Sequence, residues 1–245
     1  METEGQIHQK RNWIGGIATA AILVLLGLFV WRVVYFANAI QSGEITPGSY
    51  DFTSAFTTST ALVSAPLPDG EFETATFDDP SFGASTAAVE IVEFADFGCP
   101  YSRESSLVVR ALAEKYPEDV FFVYRDFPIT EIHPVAQVAA EAAECARDQE
   151  KFWEYHDKLY QNQSGLTEAD LTIFADELNM DTTLFDFCLA SGKYTDEVIE
   201  DYADGFEAGV RGTPTFFING NRIPGAIPAE ILEAIIESVI HTGEI

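Results

Sequence analysis

A single cysteine stands where an apolar segment gives way to a helical one. The segment from Glu93 to Glu104 has the sequence EFADFGCPYSRE, in which Cys99 is followed by Pro100. A thiol at the start of a helix faces unpaired N–H groups and the positive end of the helix dipole, and both favour the nucleophilic thiolate. Pro100 suits the first turn because its missing N–H needs no partner there. The pattern therefore predicts Cys99 as a redox nucleophile; the alternative is a buried, inert cysteine.

Ser102 stands three residues after Cys99, where a Cys-x-x-Cys site has its second thiol. In a dithiol site that second thiol attacks the mixed disulfide and releases the substrate. A hydroxyl cannot form a disulfide, so a mixed disulfide on Cys99 must be resolved by a thiol from elsewhere. We expect the Ser102 hydroxyl to hydrogen-bond the Cys99 thiolate across one helical turn and to stabilise it.

Glu93 is the acidic residue of the same segment and lies six residues before Cys99 in an apolar strand pattern. A carboxyl group buried there has its pKa raised by desolvation, which suits it to relay protons during thiol exchange. The alternative is a solvated glutamate on the strand.

The segment VRGTPTFFING, residues 210–220, contains a second candidate for the site. Thr213-Pro214 directly before an apolar strand favours a cis peptide bond, which is rare enough to indicate a functional feature. A cis-proline loop facing Cys99 would expose the Thr213 backbone for pairing with an extended substrate chain. The alternative is an ordinary trans proline in a turn.

The elements that must position these residues follow from hydrophobic periodicity and turn residues. The order is β-α-β, then an all-helical insertion at about 132–192, then β-β-α. This is the plan of a thioredoxin fold, an α/β class, with the first two strands parallel and the last two an antiparallel hairpin. The predicted strands are 88–97, 120–125, 215–218 and one starting at 222; the predicted helices are 101–115, 133–147, 151–161, 167–178, 182–190, 196–208 and 228–240.

Three segments in this order resemble the DsbA-like thioredoxin-fold proteins, a family of extracytoplasmic disulfide oxidoreductases. They are VEFADFGCPYS, AAECARDQEKFWEYHDKLY and GVRGTPTFFING. The predicted domain spans 78–245, and the resemblance covers about residues 78–241 of it. It implies that Cys99 is the nucleophile, Glu93 the buried acid, and Thr213-Pro214 the cis-proline loop. The family has a second cysteine where this chain has Ser102, so dithiol oxidase activity is not implied.

The resemblance also implies roles for three further residues. Tyr101, inside the CPYS motif, is expected to contact substrate together with Thr213 and Pro214. Cys145 and Cys188 are expected to form a structural disulfide in the insertion. Two alternatives remain open for that pair: both are buried free thiols, or one of them resolves Cys99 after a conformational change.

The composition excludes some classes of partner. The chain has 245 residues with 40 acidic and 13 basic ones, a formal net charge of −27. Such a chain repels nucleic acid phosphates, so no nucleic acid partner is expected; the acid excess suits solubility, high salt or basic substrates. Cysteine and histidine spacing predicts no metal site, and no cofactor motif occurs. His133 is interpreted as a helix-start residue and His156 as a packing or solvent-facing residue.

The first 77 residues differ from the rest. Residues 13–31 carry no charge and would span about 28 Å as a helix, so 13–36 is predicted as a transmembrane anchor after a cytoplasmic segment, 1–12. A cleaved signal peptide ending near Ala37-Asn38-Ala39 is the alternative. Residues 41–77, rich in Ser, Thr and Pro, are predicted as a tether. The expected location is the cell membrane, with the catalytic domain on its extracytoplasmic side.

These features support two hypotheses of different classes. In the first, Cys99 acts as a monothiol in thiol–disulfide exchange or isomerisation, with protein thiols, disulfides or small thiols as partners. In the second, the domain keeps a peptide-binding groove but has lost redox turnover. The physiological redox partner is not indicated by any motif.

Overall fold

The computed structural model describes residues 78–243, together with residues 26–28, 30–32, 35, 72 and 74–76. The predicted cytoplasmic segment, 1–12, lies outside the described residues, as do most of the predicted anchor, 13–36, and tether, 41–77. Residues 26–28, 30–32 and 35 are helical. Within the described part of the chain, no helix is both long and apolar enough to cross a bilayer.

A five-stranded sheet forms the centre of the domain. Its strand order is β1-β3-β2-β4-β5; β2 and β3 are parallel, and the other three pairings are antiparallel. The parallel pair and the antiparallel β4–β5 hairpin agree with the predicted directions. The edge strand β1 was not predicted, because three residues show no measurable alternation. The strands are β1 (Ser81–Gly83), β2 (Val89–Ala95), β3 (Val120–Asp126), β4 (Thr215–Ile218) and β5 (Asn221–Pro224).

Seven helices are described between Pro100 and Thr242. Five of them, α2 to α6, lie between β3 and β4, close to the bounds that the periodicity predicts. The helices are α1 (Pro100–Lys115), α2 (Ala136–Arg147), α3 (Phe152–Gln161), α4 (Glu168–Glu177), α5 (Thr182–Ser191), α6 (Thr195–Glu207) and α7 (Ala229–Thr242).

Side chains of β2 alternate between two cores. Val89 and Ile91 belong to the larger cluster, which includes residues of α1, α7 and the helical insertion. Val92 and Phe94 belong to the smaller cluster on the other face. Since strand residues two apart share a face, Glu93 lies on the same side as Val89 and Ile91, toward α1. The alternation thus directs one carboxyl group into the core beneath the first helix.

Local sequence signals explain the ends of several elements. The β4–β5 hairpin turns through Asn219 and Gly220, both with positive φ (45° and 77°), as tight two-residue hairpin loops require. Thr167 and Asp170 form a capping box at the start of α4. The Asp181 carboxylate accepts hydrogen bonds from two backbone N–H groups at the start of α5. These signals divide the insertion into short helices.

A disulfide bond between Cys145 and Cys188 joins α2 to α5. The bond agrees with the pairing that the family resemblance implies, and it closes a loop with a sequence separation of 43 residues. Neither cysteine is therefore a free thiol in this state, and Cys99 is the free cysteine of the described residues.

Candidate active site

Cys99 lies at the junction between β2 and α1, as predicted. It is the N-cap residue of α1, with Pro100 in the first turn, and its carbonyl accepts the first helical hydrogen bond, from the Arg103 N–H at 3.1 Å. The side chain is mostly buried, with 6% of the residue exposed. Its thiol donates a hydrogen bond to the Thr213 carbonyl, with an Sγ–O distance of 3.3 Å. The nucleophile candidate and the proline loop are therefore in direct contact.

The peptide bond between Thr213 and Pro214 is cis, as the sequence predicts. A cavity of about 330 Å³ opens beside this loop. The CPY segment lies on its lining, together with Ile129, Ile132 and His133, residues 209 and 211–215, and part of the hairpin at 222–225. Tyr101 lines the same cavity and is 50% exposed, which is the placement expected of a substrate-contacting side chain; its role stays a prediction.

Glu93 is fully buried, with none of its surface exposed. Burial raises the pKa of its carboxyl group to about 8, an effect that the hydrogen bond with Ser106 partly opposes. Oε2 lies 2.7 Å from the Ser106 hydroxyl oxygen, whereas Oε1 has no hydrogen-bond partner. The group is thus neutral at pH 7. Ser106 lies one helical turn beyond Ser102, so the acid lies beneath the face of α1 that both serines share.

The expected role of the Ser102 hydroxyl is wrong. Its oxygen accepts a hydrogen bond from the Asp96 N–H at 3.3 Å, and no hydrogen bond joins it to the Cys99 thiol. The reason is that Ser102 is fully buried and its side chain lies against the backbone that leaves β2. The Ser102 side chain therefore links α1 to the loop that contains Asp96 and precedes Cys99.

Asp96 and His133 form a pair that sequence reasoning missed. The buried Asp96 carboxylate contacts His133 Nδ1 at 2.8 Å and accepts hydrogen bonds from the N–H groups of Ile129 (2.9 Å) and Gly98 (2.6 Å). His133 lines the cavity next to Cys99 instead of starting a helix; α2 begins three residues later. The pair therefore places an imidazole at the mouth of the site. The dipeptide His133-Pro134 after a buried strand was the available signal.

Gln163 was also missed, because no chemistry is attached to a lone glutamine after a helix. Its side-chain amide donates hydrogen bonds to the carbonyls of Phe97 (2.8 Å) and Cys99 (2.9 Å). The residue follows α3, so the helical insertion holds the active-site loop directly. This contact links two segments that are more than 60 residues apart in sequence.

Replacing Gly98 by Ala is expected to destabilise the domain. A Cβ atom on Gly98 would lie 2.4 Å from Cβ of His133, closer than any real contact. The His133 backbone or the active-site loop must then shift, at a cost of roughly 1–3 kcal/mol in the free energy of unfolding. Urea titration measures this cost. Gly212→Ala, on the cavity lining, is the control, because its Cβ would meet no atom within 4 Å. An equal effect of both substitutions would contradict the steric argument.

Known proteins similar to this chain were found at the level of family and of sequence. A family model described as thioredoxin matches residues 75–238. A Na+/H+ antiporter of Salinispora arenicola is 42% identical over 156 residues, a match covering 64% of this chain and 24% of the antiporter. The match to a second antiporter, of Salinispora tropica, covers 25% of that protein, so this chain matches only about a quarter of the length of these relatives.

Two solved structures show the same fold. A thioredoxin-like oxidoreductase from Silicibacter pomeroyi is 26% identical with a TM-score of 0.61, and the match covers 71% of this chain and 99% of that one. Oxidised BdbD from Bacillus subtilis is 22% identical with a TM-score of 0.59, covering 66% and 93%. The chain therefore belongs to the thioredoxin family and has the fold of the DsbA-like thiol–disulfide oxidoreductases.

Proposed function

We propose that this protein catalyses thiol–disulfide exchange through Cys99 alone. The Cys99 thiolate attacks one sulfur of a substrate disulfide, a mixed disulfide forms, and the other substrate sulfur leaves and takes up a proton. A second thiol, from the substrate or a small molecule, then attacks the mixed disulfide and releases Cys99. The sequence of events isomerises or exchanges disulfides and leaves the overall number of disulfides unchanged.

One observation carries this proposal: the free Cys99 thiol lies at the start of α1, 3.3 Å from the carbonyl before a cis proline, beside an open cavity. The helix start supports the thiolate. A substrate chain that pairs with the proline loop would replace the contact between Cys99 and Thr213 and bring its own sulfur to the thiolate. Because Ser102 cannot form a disulfide, an external thiol must resolve the mixed disulfide on Cys99.

The charges around the cavity favour a substrate with an acidic group near its disulfide. The lining includes Arg211 and Arg222 and no aspartate or glutamate, although the whole chain carries a net charge of −27. Opposite charges at short range attract a substrate and orient it. Acidic peptides and glutathione mixed disulfides meet this requirement.

We propose an extracytoplasmic location with an N-terminal membrane anchor at 13–36. The uncharged stretch at 13–31 supports the anchor, and the bond between Cys145 and Cys188 supports an oxidising compartment. The match to the antiporters covers about a quarter of each, so ion transport is not carried over to this chain.

Cys99→Ala is expected to abolish turnover of a peptide–glutathione mixed disulfide by the full-length protein. The reason is that no other thiol of the described residues is free to attack. Release of glutathione, followed in a coupled assay, measures the loss. The control is the double variant Cys145→Ala/Cys188→Ala, which should retain turnover at a temperature where it is folded. Turnover that survives Cys99→Ala, or that disappears from the folded double variant, would contradict the monothiol assignment.

A second candidate function is peptide binding without redox turnover. It is favoured by the burial of Cys99 and by the thiol's hydrogen bond to Thr213, which both limit the access of a substrate disulfide to the sulfur. In this case wild type and Cys99→Ala would bind an extended acidic peptide equally well, and neither would turn over the mixed disulfide. The same assay therefore separates the two functions.

A further inference from the structure

A row of hydrogen-bonding groups connects the buried Glu93 to the surface on the side of the helical insertion. Glu93 Oε2 lies 2.7 Å from Ser106 Oγ on α1, and that oxygen lies 3.3 Å from Nε2 of His156 on α3. The other ring nitrogen, Nδ1, lies 2.8 Å from Oδ1 of Asp157. We call these four residues the carboxyl–imidazole row.

The row runs from the interior to solvent. Glu93, Ser106 and His156 have no exposed surface, whereas the Asp157 side chain is 27% exposed. Oδ2 of Asp157 lies 3.4 Å from Nε of Arg110, which holds the carboxylate at the domain surface. Only the last member of the row therefore meets water directly.

Counting hydrogen atoms shows that one arrangement satisfies every contact. Burial lowers the pKa of His156, so the ring is neutral and carries one N–H. Since the Asp157 carboxylate accepts from Nδ1, the Nε2 atom must accept from the Ser106 hydroxyl. Ser106 then accepts from Glu93, which must carry a proton on Oε2. The pKa of about 8 for Glu93 agrees with this requirement.

The surroundings of His156 keep competing charges and water away. Aromatic rings surround the imidazole, with centroid distances between 5.0 and 6.0 Å. The other titratable groups that face it are the phenols of Tyr124 and Tyr160, whose hydroxyls bond each other at 2.8 Å and whose pKa values burial raises. Arg110 supplies the nearby positive charge. The rings of this enclosure belong to Phe97, Tyr124, Phe152, Trp153 and Tyr160.

We propose that the carboxyl–imidazole row conducts protons between Glu93 and solvent, with Ser106 and His156 as the relay. The Glu93 proton passes to Ser106 Oγ while the Ser106 hydrogen passes to His156 Nε2, and the Nδ1 hydrogen leaves through Asp157 to water. Glu93 is then ionised, Ser106 is again a hydroxyl, and the ring is neutral with its hydrogen on Nε2. The reverse transfers restore the first state, so no atom or charge is lost.

The row gives the buried acid a route to water that avoids the substrate cavity. The described hydrogen bond of the Glu93 carboxyl group is the one with Ser106, so this contact is where a proton can leave or reach it. The value of the row for exchange rests on the proposed function, since proton supply to the leaving thiol matters only if Cys99 turns over. Ser106 and His156 are relay residues that act through Glu93 and do not touch the cavity lining.

A pH jump followed by infrared spectroscopy tests the row without any redox substrate. The carboxyl stretch of protonated Glu93 is identified by its absence from Glu93→Gln, and its decay and recovery are timed after jumps between about pH 6.5 and about pH 9.5, on either side of the pKa of about 8. Ser106→Ala and His156→Phe are expected to slow both processes at least about ten-fold. A changed pKa alone would alter the ratio of the two rates, whereas a lost route slows both.

Ser105→Ala is the matched control, because Ser105 is equally buried on the same helix and its hydroxyl has no hydrogen-bond partner. Its rates should equal those of wild type. Equal rates of Glu93 protonation and deprotonation in Ser106→Ala and wild type would contradict proton conduction through the row, whether or not Cys99 turns over a substrate. If Ser106→Ala slows these rates but the wild-type protein shows no Cys99-dependent turnover, proton conduction is supported and the proposed function is contradicted. Ser106→Ala removes one atom, so it gives a result even if His156→Phe fails to fold.

Discussion

Replacing Ser102 by Cys is expected to convert this protein into a dithiol oxidase. Residue 102 is the third residue of α1 and Cys99 is its N-cap, a pair whose side chains meet in ordinary capped helices. The new thiol would lie one helical turn before Ser106, which contacts Glu93. The variant should form a disulfide between residues 99 and 102 and oxidise a reduced dithiol peptide at least about ten-fold faster than wild type, because resolution becomes intramolecular.

Mass spectrometry of the oxidised variant and loss of free peptide thiols measure this conversion. The control is Ser105→Cys, which adds a thiol to the same helix at a position that does not face Cys99. The prediction is contradicted if the folded Ser102→Cys variant keeps two free thiols under an oxidant, or if Ser105→Cys oxidises the peptide equally well. Wild type should accumulate the mixed disulfide under the same conditions.

Replacing Glu93 by Gln is expected to flatten the dependence of stability on pH. The folded carboxyl has a pKa of about 8, above its ordinary value of 4.5, so between these values the folded state holds a proton that the unfolded state has lost. Stability therefore falls as pH rises through this window, by about 1.4 kcal/mol per unit, and at pH 7 the cost is about 3 kcal/mol relative to acid conditions. Glutamine does not ionise and removes this contribution.

Urea unfolding at several pH values between about 5 and 7.5 measures the two slopes. The slope is more informative than the absolute free energy, because the buried amide of glutamine changes hydrogen bonding equally at every pH. Glu144 and Asp201, whose pKa values burial raises to about 8 and about 7, keep some slope in the variant. Glu90→Gln, three residues earlier and exposed, should retain the wild-type slope. Equal slopes in Glu93→Gln and wild type would refute a neutral Glu93.

Much of the architecture could be predicted because it depends on short-range patterns. The bounds of α2 to α6 follow from helical periodicity and from caps such as Asp181. The parallel pairing of β2 and β3 follows from the handedness of a βαβ unit. The position of Cys99 at a helix start follows from Gly98-Cys99-Pro100. The cis bond before Pro214 was likewise suggested by a dipeptide in front of an apolar strand.

The environment of the site could not be predicted in the same way. Gln163 holds the Cys99 loop from 64 residues away, and His133 reaches Asp96 from 37 residues away. Neither residue belongs to a pattern with a fixed spacing. The hydroxyl of Ser102 bonds the Asp96 N–H instead of the thiol because the packing of β2 against α1 brings that backbone closer.

Local sequence patterns are sufficient to predict the order of the elements, the nucleophile candidate, the cis-proline loop and the burial of the acid six residues before the thiol. Periodicity, turn chemistry and helix capping act over a few residues, so they can be recognised from residues that are neighbours in the sequence. The contact of Glu93 with Ser106, and of Ser106 with His156, which lies 50 residues further along the chain, depends on the packing of the whole domain. These contacts depend on how the helical insertion packs on α1, which is set by the shapes of many side chains at once.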